Sequence, residues 1–273
     1  MILTNKFEYA KIYIGDDDNV NIEKIKEKIQ QMCLMHDSFM SAVLQHKECC
    51  EIVINTILGR DDITVIESRS QYTVTNLHGR SVRLDVFAKD SKDKLYNIEI
   101  QRDNVGAVPQ RARYNSSLID ANILNAGEDF DKLPETYVIF ITEKDMYNKG
   151  LPLYTIDRVI KETNESFNDG SHIIYVNSEI QDGTKLGKLM ADFHCTDPDD
   201  MHSKILAERV DYLKNNKEGN TIMCKIVEEL VDERMIEMVK KMISKGTYTA
   251  EAISELTEIP LDEVKKLIEE HTA

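Results

Sequence analysis

The sequence predicts a mixed α/β fold, in which a sheet flanked by helices is followed by an α-helical C-terminal region. Three observations support this. β-Branched and alternating residues fill a block between residues 63 and 101. The run TYVIFIT at 136–142 is apolar throughout, which is typical of a strand buried on both faces. Beyond residue 204, apolar residues recur at helical spacing.

The composition is that of a globular protein with an acidic surface. Of the 273 residues, 41% are hydrophobic and 30% are charged, and the formal net charge is −15. This charge excludes a protein-wide basic field that would attract nucleic acid. Any contact with phosphate must therefore be local or bridged by a metal ion.

The N-terminus and the cysteines indicate the compartment. No run of 18 apolar residues occurs, and Lys6 and Glu8 lie where a signal peptide needs a hydrophobic stretch. The cysteines number five and form no Cys-x-x-Cys motif, so neither a disulfide framework nor a cysteine-rich zinc site is indicated. We expect a cytoplasmic protein with reduced thiols and no contact with a membrane.

The first elements are predicted to be helical. Residues 16–31 have isoleucines at helical spacing between charged residues, which predicts an amphipathic helix in an N-terminal extension, residues 1–34. The apolar pattern from Phe39 to Leu58 predicts a second helix, and Gly59 ends it.

Three or four antiparallel strands should follow, then a helix and two further strands. The helix begins at Pro109 and ends near Gly127. The predicted strands are 63–67, 71–76, 82–88 and 95–101, followed after the helix by 136–142 and 172–177.

The chain beyond this core is predicted to be helical. We place the α/β core at 35–203, a helical region at 204–245 and a small helical hairpin at 246–273. The hairpin resembles a helix-turn-helix, but its second helix carries four acids against two lysines, a charge that is unfavourable in a DNA major groove. Packing, oligomerisation and DNA binding all remain open for it. A methionine-rich stripe along 222–243 could support a homodimer.

Two acids occupy the middle of adjacent predicted strands. If the turn from Lys89 to Lys94 closes a hairpin, Asp85 lies opposite Glu99, with both carboxylates on one face and about 5 Å apart at Cβ. Two like charges so placed are destabilising unless a cation lies between them. Mg²⁺, a hard ion that takes oxygen ligands, would serve. From the residues alone, the alternative that both acids are solvated on an exposed face remains open.

The strand-turn-strand resembles the PD-(D/E)xK nuclease superfamily, and about residues 35 to 245 are similar to its recombination-promoting (Rpn) nucleases. The motifs that carry the resemblance are FMSAVL at 39–44, GRSVRLD at 79–85, NIEIQR at 97–102, RARY at 111–114, LPETYVIFIT at 133–142 and DPDDM at 197–201. The resemblance implies a restriction-endonuclease-like core.

The resemblance also assigns roles to residues. Asp85 and Glu99 match the metal-binding acids, and Gln101 stands where the superfamily usually has a catalytic lysine. An amide carries no charge, so either Arg102, Arg111 or Arg113 substitutes for the lysine, or activity is weak or absent.

Further site residues come from the helices. The superfamily often presents an acid from its first core helix, and we expect Glu51, rather than Glu48, to point toward the two strand acids. Arg102, Arg111, Arg113 and Tyr114 are expected to contact DNA phosphates.

The sequence therefore predicts an endonuclease that uses Mg²⁺ or Mn²⁺ to hydrolyse DNA, in recombination or mobile elements. The alternative is a catalytically inactive descendant of the fold that binds DNA or a partner.

Overall fold

The computed structural model describes residues 25–76, 79–102 and 104–272. Most of the predicted N-terminal helix, residues 16–24, lies outside the described residues. Residues 25–30 are helical, and Ile25 and Ile29 are buried. The described part of the chain forms two compact units. One is Gln31–Leu213, and the other joins residues 25–30 to the chain from Lys214 onward.

A six-stranded mixed sheet forms the centre of the larger unit, which confirms the predicted fold class. Its spatial order is β1-β2-β3-β4-β8-β5. The first three strands form an antiparallel meander, β3, β4 and β8 are mutually parallel, and β5 is an antiparallel edge strand. A separate two-stranded sheet consists of β6 and β7. The strands are β1 Val65–Val74, β2 Val82–Asp90, β3 Leu95–Gln101, β4 Thr136–Thr142, β5 Leu153–Ile156, β6 Val159–Ile160, β7 Glu165–Ser166 and β8 Ser171–Asn177.

The strand predictions hold best where burial is complete. Every residue of β4 is buried, as its apolar sequence requires, since helices cover both faces of a parallel sheet. The separate predicted strands 63–67 and 71–76 are one continuous strand, β1. The short strands β5, β6 and β7 have two to four residues each, none of them buried, and the sequence pattern did not predict them.

Four described helices of the larger unit lie before residue 195, and the first prediction for them needs correction. The single helix expected over 39–58 is two helices, because His46 has an extended backbone at the start of the second one. The helices are α1 Asp37–Leu44, α2 Lys47–Leu58, α3 Pro109–Ile123 and α4 Lys185–His194. Helix α1 packs against β1, β2 and β3, and α3 packs against β1, β4 and β8.

The remaining helices are α5 Lys204–Asn215, α6 Lys217–Lys245, α7 Ala250–Thr257 and α8 Leu261–Thr272. The predicted helical region 204–245 contains two helices, separated by the extended backbone of Asn216, whose side chain caps α6 by accepting from Glu218 N. Helices α6, α7 and α8 share a core of Met235, Val239, Ile253, Ile259 and Val264. No helix in the described parts of the chain is long and apolar enough to cross a bilayer.

Candidate functional site

Strands β2 and β3 separate partway along their length. They are paired from Lys89 and Leu95 as far as Val86 and Ile98. Beyond that point β2 stays paired with β1 as far as Val82, whereas β3 stays paired with β4 as far as Gln101. We call this point of separation, just beyond the Val86–Ile98 pair, the fork.

Asp85 and Glu99 lie at the fork, one residue beyond the last pair on each strand. The register of the pairs confirms the prediction that they are opposite one another on antiparallel neighbours. Asp85 N donates to Glu99 Oε1 at 3.4 Å, and Ile100 N donates to Asp85 Oδ2 at 3.2 Å. Each carboxylate thus accepts a hydrogen bond from a backbone N–H of the opposite strand.

Glu99 is a fully buried carboxylate with an ion-pair partner. Arg111, near the start of α3, approaches it with Nη2 at 2.6 Å from Oε2, and its side chain is 37% exposed. Asn97 Nδ2 donates to Oε1 at 2.9 Å. Burial raises the pKa of Glu99, and Arg111 and Asn97 oppose that rise.

The Asp85 carboxylate has fewer stabilising contacts than the Glu99 carboxylate. Burial raises its pKa well above 3.8, and the charges of Glu99 and Asp37 raise the pKa further, against the opposing effects of Ile100 N and Arg111. Within the described residues, its carboxylate accepts one hydrogen bond, from Ile100 N. The fork therefore holds more negative charge than its neighbours neutralise.

Asp37 is a third acid near the fork, which the sequence reasoning missed. It is the first residue of α1, and its charge raises the pKa of both Asp85 and Glu99. Burial raises the pKa of Asp37 itself. The signal that could have found it is an acid two residues before the apolar run FMSAVL, where a helix N-terminus favours negative charge.

The structure corrects the expected position of Glu51. Its Oε2 accepts a hydrogen bond from Val65 N at 2.9 Å, at the start of β1. Val65 pairs with Asp90, which is five residues along β2 from Asp85 and hence about 16 Å away at ~3.3 Å per residue. Glu51 therefore fastens α2 to β1 and does not face the strand acids.

Gln101 lies beside Arg111. A Cβ atom placed on Gly106 would overlap the Gln101 amide oxygen, and it would lie 3.6 Å from Arg111 Nη1. Arg111 Nη1 also donates to Gly106 O at 3.1 Å. Of the three arginines considered as substitutes for the missing lysine, Arg111 is the one paired with Glu99.

The other expected phosphate ligands differ in availability. Arg102 is paired with Glu143, with Nε 3.0 Å from Oε2. Tyr114 donates its hydroxyl to Arg80 O, which ties α3 to the β1–β2 connection. Arg113 is exposed on α3.

A strained residue stands opposite Asp85 on β1. Gln71 has a φ of 51°, although the pairs on both sides of it, Ser70 with Val86 and Tyr72 with Leu84, keep the strand register. Its Nε2 donates to Ser41 Oγ at 3.1 Å, and Ser41 Oγ donates to Asp85 O at 3.1 Å. Left-handed backbone in a residue other than glycine costs about 1 kcal/mol and is concentrated at functional sites.

The donor set at the fork fits a hard divalent cation. Asp85 and Glu99 provide oxygen ligands only, and burial raises the pKa of both, with the charge of Asp37 adding to the rise. Among the described residues, no three His, Cys, Asp or Glu side chains are grouped so that they could hold a metal ion together. Mg²⁺ commonly binds through one or two carboxylates and water, which matches a pair.

Comparison with known proteins agrees with this geometry. The family model for the PD-(D/E)XK nuclease family transposase matches residues 45–258, a segment that includes Asp85, Glu99 and Gln101 but not Asp37. No curated protein and no solved structure gave a significant match. Because the matched segment covers more than half of the chain, the protein belongs to the PD-(D/E)XK nuclease family transposases.

Proposed function

We propose that the protein is a metal-dependent endonuclease that hydrolyses phosphodiester bonds in DNA during recombination or the movement of mobile elements. The observation that carries the proposal is the pair of acids at the fork. Asp85 and Glu99 are held by hydrogen bonds to each other's strand, in a site with excess negative charge. Family membership supports a nuclease-like function.

Each residue at the fork would have a separate role. Asp85 and Glu99 would hold Mg²⁺ or Mn²⁺, which when bound polarises a phosphoryl oxygen and lowers the pKa of a coordinated water. Arg111 neutralises Glu99 and places a guanidinium beside Gln101. The Gln101 amide can orient a water molecule through a hydrogen bond but adds no charge. Asp37 makes the potential at the site more negative.

DNA contact in this proposal depends on local cations. Arg102 and Arg111 are already paired with acids, so they must exchange partners before binding a phosphate. Arg113 is exposed on α3, but two residues after Arg111 it projects from the other side of the helix, away from Glu99, where it can meet a phosphate outside the fork. We therefore assign the main phosphate contact to Arg113.

A second candidate function has its own supporting observation. Both oxygens of Glu99 already accept hydrogen bonds, Oε1 from Asn97 and Oε2 from Arg111. An arginine that satisfies the acid could replace the metal ion permanently. The protein would then bind DNA or a partner without cleaving it, consistent with the absence of lysine at Gln101.

The compartment and the assembly state are part of the proposal. All five cysteines are free thiols in the structure, which supports a reducing cytoplasmic environment. We retain the homodimer as a prediction, to be checked by sedimentation of the full chain.

A plasmid-nicking assay with Mg²⁺, Mn²⁺, Ca²⁺ or EDTA tests the proposal. We expect the wild type to nick with Mg²⁺ or Mn²⁺ and not with EDTA, and Asp85→Asn to lose about 10² to 10³ in rate. Asp93→Asn makes the same chemical change in the turn of the same hairpin, where Asp93 is exposed, and should keep full activity. DNA binding by the wild type without cleavage under every condition would favour the inactive module.

A further inference from the structure

Glu99 is the end of a chain of buried side-chain amides. Asn115 Nδ2 donates to Asn97 Oδ1 at 3.2 Å, and Asn97 Nδ2 donates to Glu99 Oε1 at 2.9 Å. Asn97 and Glu99 are 0% exposed, and Asn115 is 1% exposed. We call Asn115, Asn97 and Glu99 the amide relay.

The charge of Glu99 sets the direction of every hydrogen bond in the amide relay. An ionised carboxylate only accepts, so Asn97 must present its NH₂ group to Glu99 and its oxygen to Asn115. Asn115 must then donate with its own NH₂ group. Its Oδ1 is left buried with no hydrogen-bond partner among the described residues. A buried oxygen without a donor costs about 1–3 kcal/mol, so the arrangement is not the best one for stability.

One face of helix α3 controls Glu99 by two routes. Arg111 and Asn115 are four residues apart, so they project from the same side of the helix. Arg111 reaches Glu99 Oε2 directly, and Asn115 reaches Oε1 through Asn97. The two oxygens of the carboxylate are thus fixed separately, which defines the plane of the group as well as its position.

We propose that Asn97 and Asn115 are positioning residues that orient the Glu99 carboxylate for binding a divalent cation. This inference rests on the proposed function, because the amide relay can orient a metal ligand only if the fork binds a metal ion. Groups that hold metal ligands in place commonly contribute about 10- to 100-fold to metal affinity.

The test uses Asn115→Asp in the full-length protein, with Mn²⁺ binding measured by electron paramagnetic resonance. The substitution keeps the shape of the side chain but turns the donor into an acceptor, so Asn97 can no longer present oxygen to residue 115 and NH₂ to Glu99 together. We expect Mn²⁺ affinity to fall at least about tenfold. Asn122→Asp is the matched control, since Asn122 is on the same helix and its side chain bonds only to Leu118 O within the described part of the chain. It should bind Mn²⁺ like the wild type.

Asn115→Ala provides a second variant should Asn115→Asp fail to fold, because it introduces no buried charge. It removes the donor to Asn97 and should also weaken Mn²⁺ binding. Wild-type Mn²⁺ affinity in a folded Asn115→Asp or Asn115→Ala protein would overturn the proposal.

A wild type that binds no Mn²⁺ would count against the proposed function. Crystal structures would then test separately whether the amide relay positions Glu99. We expect the Glu99 carboxylate to move by about 1 Å or more between wild-type and Asn115→Asp crystals, a shift large enough to spoil a metal site. An unmoved Glu99 would show that the relay does not position it.

Discussion

Replacing Arg111 by methionine should leave a buried charge without its partner. Glu99 is fully buried, and its ion pair with Arg111 spans 2.6 Å. Methionine retains much of the length of the arginine stem but offers no donor. The variant therefore tests whether Arg111 is present to neutralise Glu99, as the geometry indicates.

The expected loss of stability follows from the distance and the exposure. Unit charges 2.6 Å apart attract by about 6 kcal/mol at an effective dielectric constant of about 20. Arg111 is 37% exposed, and Glu99 keeps its bonds from Asn97 and Asp85 N, so part of this attraction is screened or retained. We expect a net loss of about 3 kcal/mol, at the lower end of the range for breaking a buried pair.

The loss should depend on pH in a definite direction. Glu99 already has a raised pKa, and removing Arg111 raises it further. A carboxyl whose folded pKa exceeds its unfolded value favours folding when protonated, and that contribution is lost as pH rises through the folded pKa. The deficit of Arg111→Met should therefore be largest at high pH and should shrink as pH falls toward 4.5, the ordinary glutamate value.

Urea unfolding of four proteins measures the effect: wild type, Arg111→Met, Glu99→Gln and the double variant. Because Glu99→Gln removes the buried charge, the double variant should be more stable than Arg111→Met alone. If Arg111→Met unfolds within about 0.5 kcal/mol of the wild type at every pH, the reasoning about the pair is refuted.

Three further outcomes follow from the site. Asp85→Asn should lower the rate of metal-dependent cleavage by about 10² to 10³. It should nevertheless raise the free energy of unfolding by about 1 kcal/mol near pH 8, because it removes a carboxylate that is buried and repelled by Glu99 and Asp37; thermal melts should show this advantage shrinking as pH falls toward 3.8. Glu51→Ala should lose about 1 kcal/mol of stability with its bond to Val65 N but leave nicking unchanged, and a loss of nicking in well-folded protein would restore Glu51 to the site. Arg113→Ala should weaken DNA binding and lower the salt slope of log K by about one, as read by fluorescence anisotropy; an unchanged slope would exclude a phosphate contact at Arg113.

The relation between Asp85 and Glu99 was predictable because local rules determine it. Side chains alternate along a strand, and a short turn between two strands fixes which residues are opposite each other. The sequence between Asp85 and Glu99 shows both the alternation of the two strands and the position of the turn. The continuous apolar sequence of β4 likewise predicted a strand buried on both faces.

The helix acids could not be placed in the same way. The apolar positions stop at Leu44 and resume at Cys49, and a gap of four polar residues also fits one continuous helix, so the pattern alone does not separate α1 from α2. Because a helical break changes the direction of the chain, the face that Glu51 presents could not be deduced from residues before the break. The partners of Arg111 and Asn115 also depend on how α3 docks against the sheet, which periodicity does not specify.

The separation of β2 and β3 divides β2 into two parts that should differ in local opening. From Val86 to Lys89, β2 is bonded to a strand on each side, whereas from Val82 to Leu84 the described pairs are with β1 alone. That outer part is a two-stranded ribbon, which is marginal in water unless it packs against other elements, and Leu84 packs with Leu118 of α3. We expect its backbone amides to exchange with solvent deuterium faster than those of the inner part. The residue at the boundary is Asp85, so one of the two acids lies where the rigid sheet gives way to a more mobile ribbon.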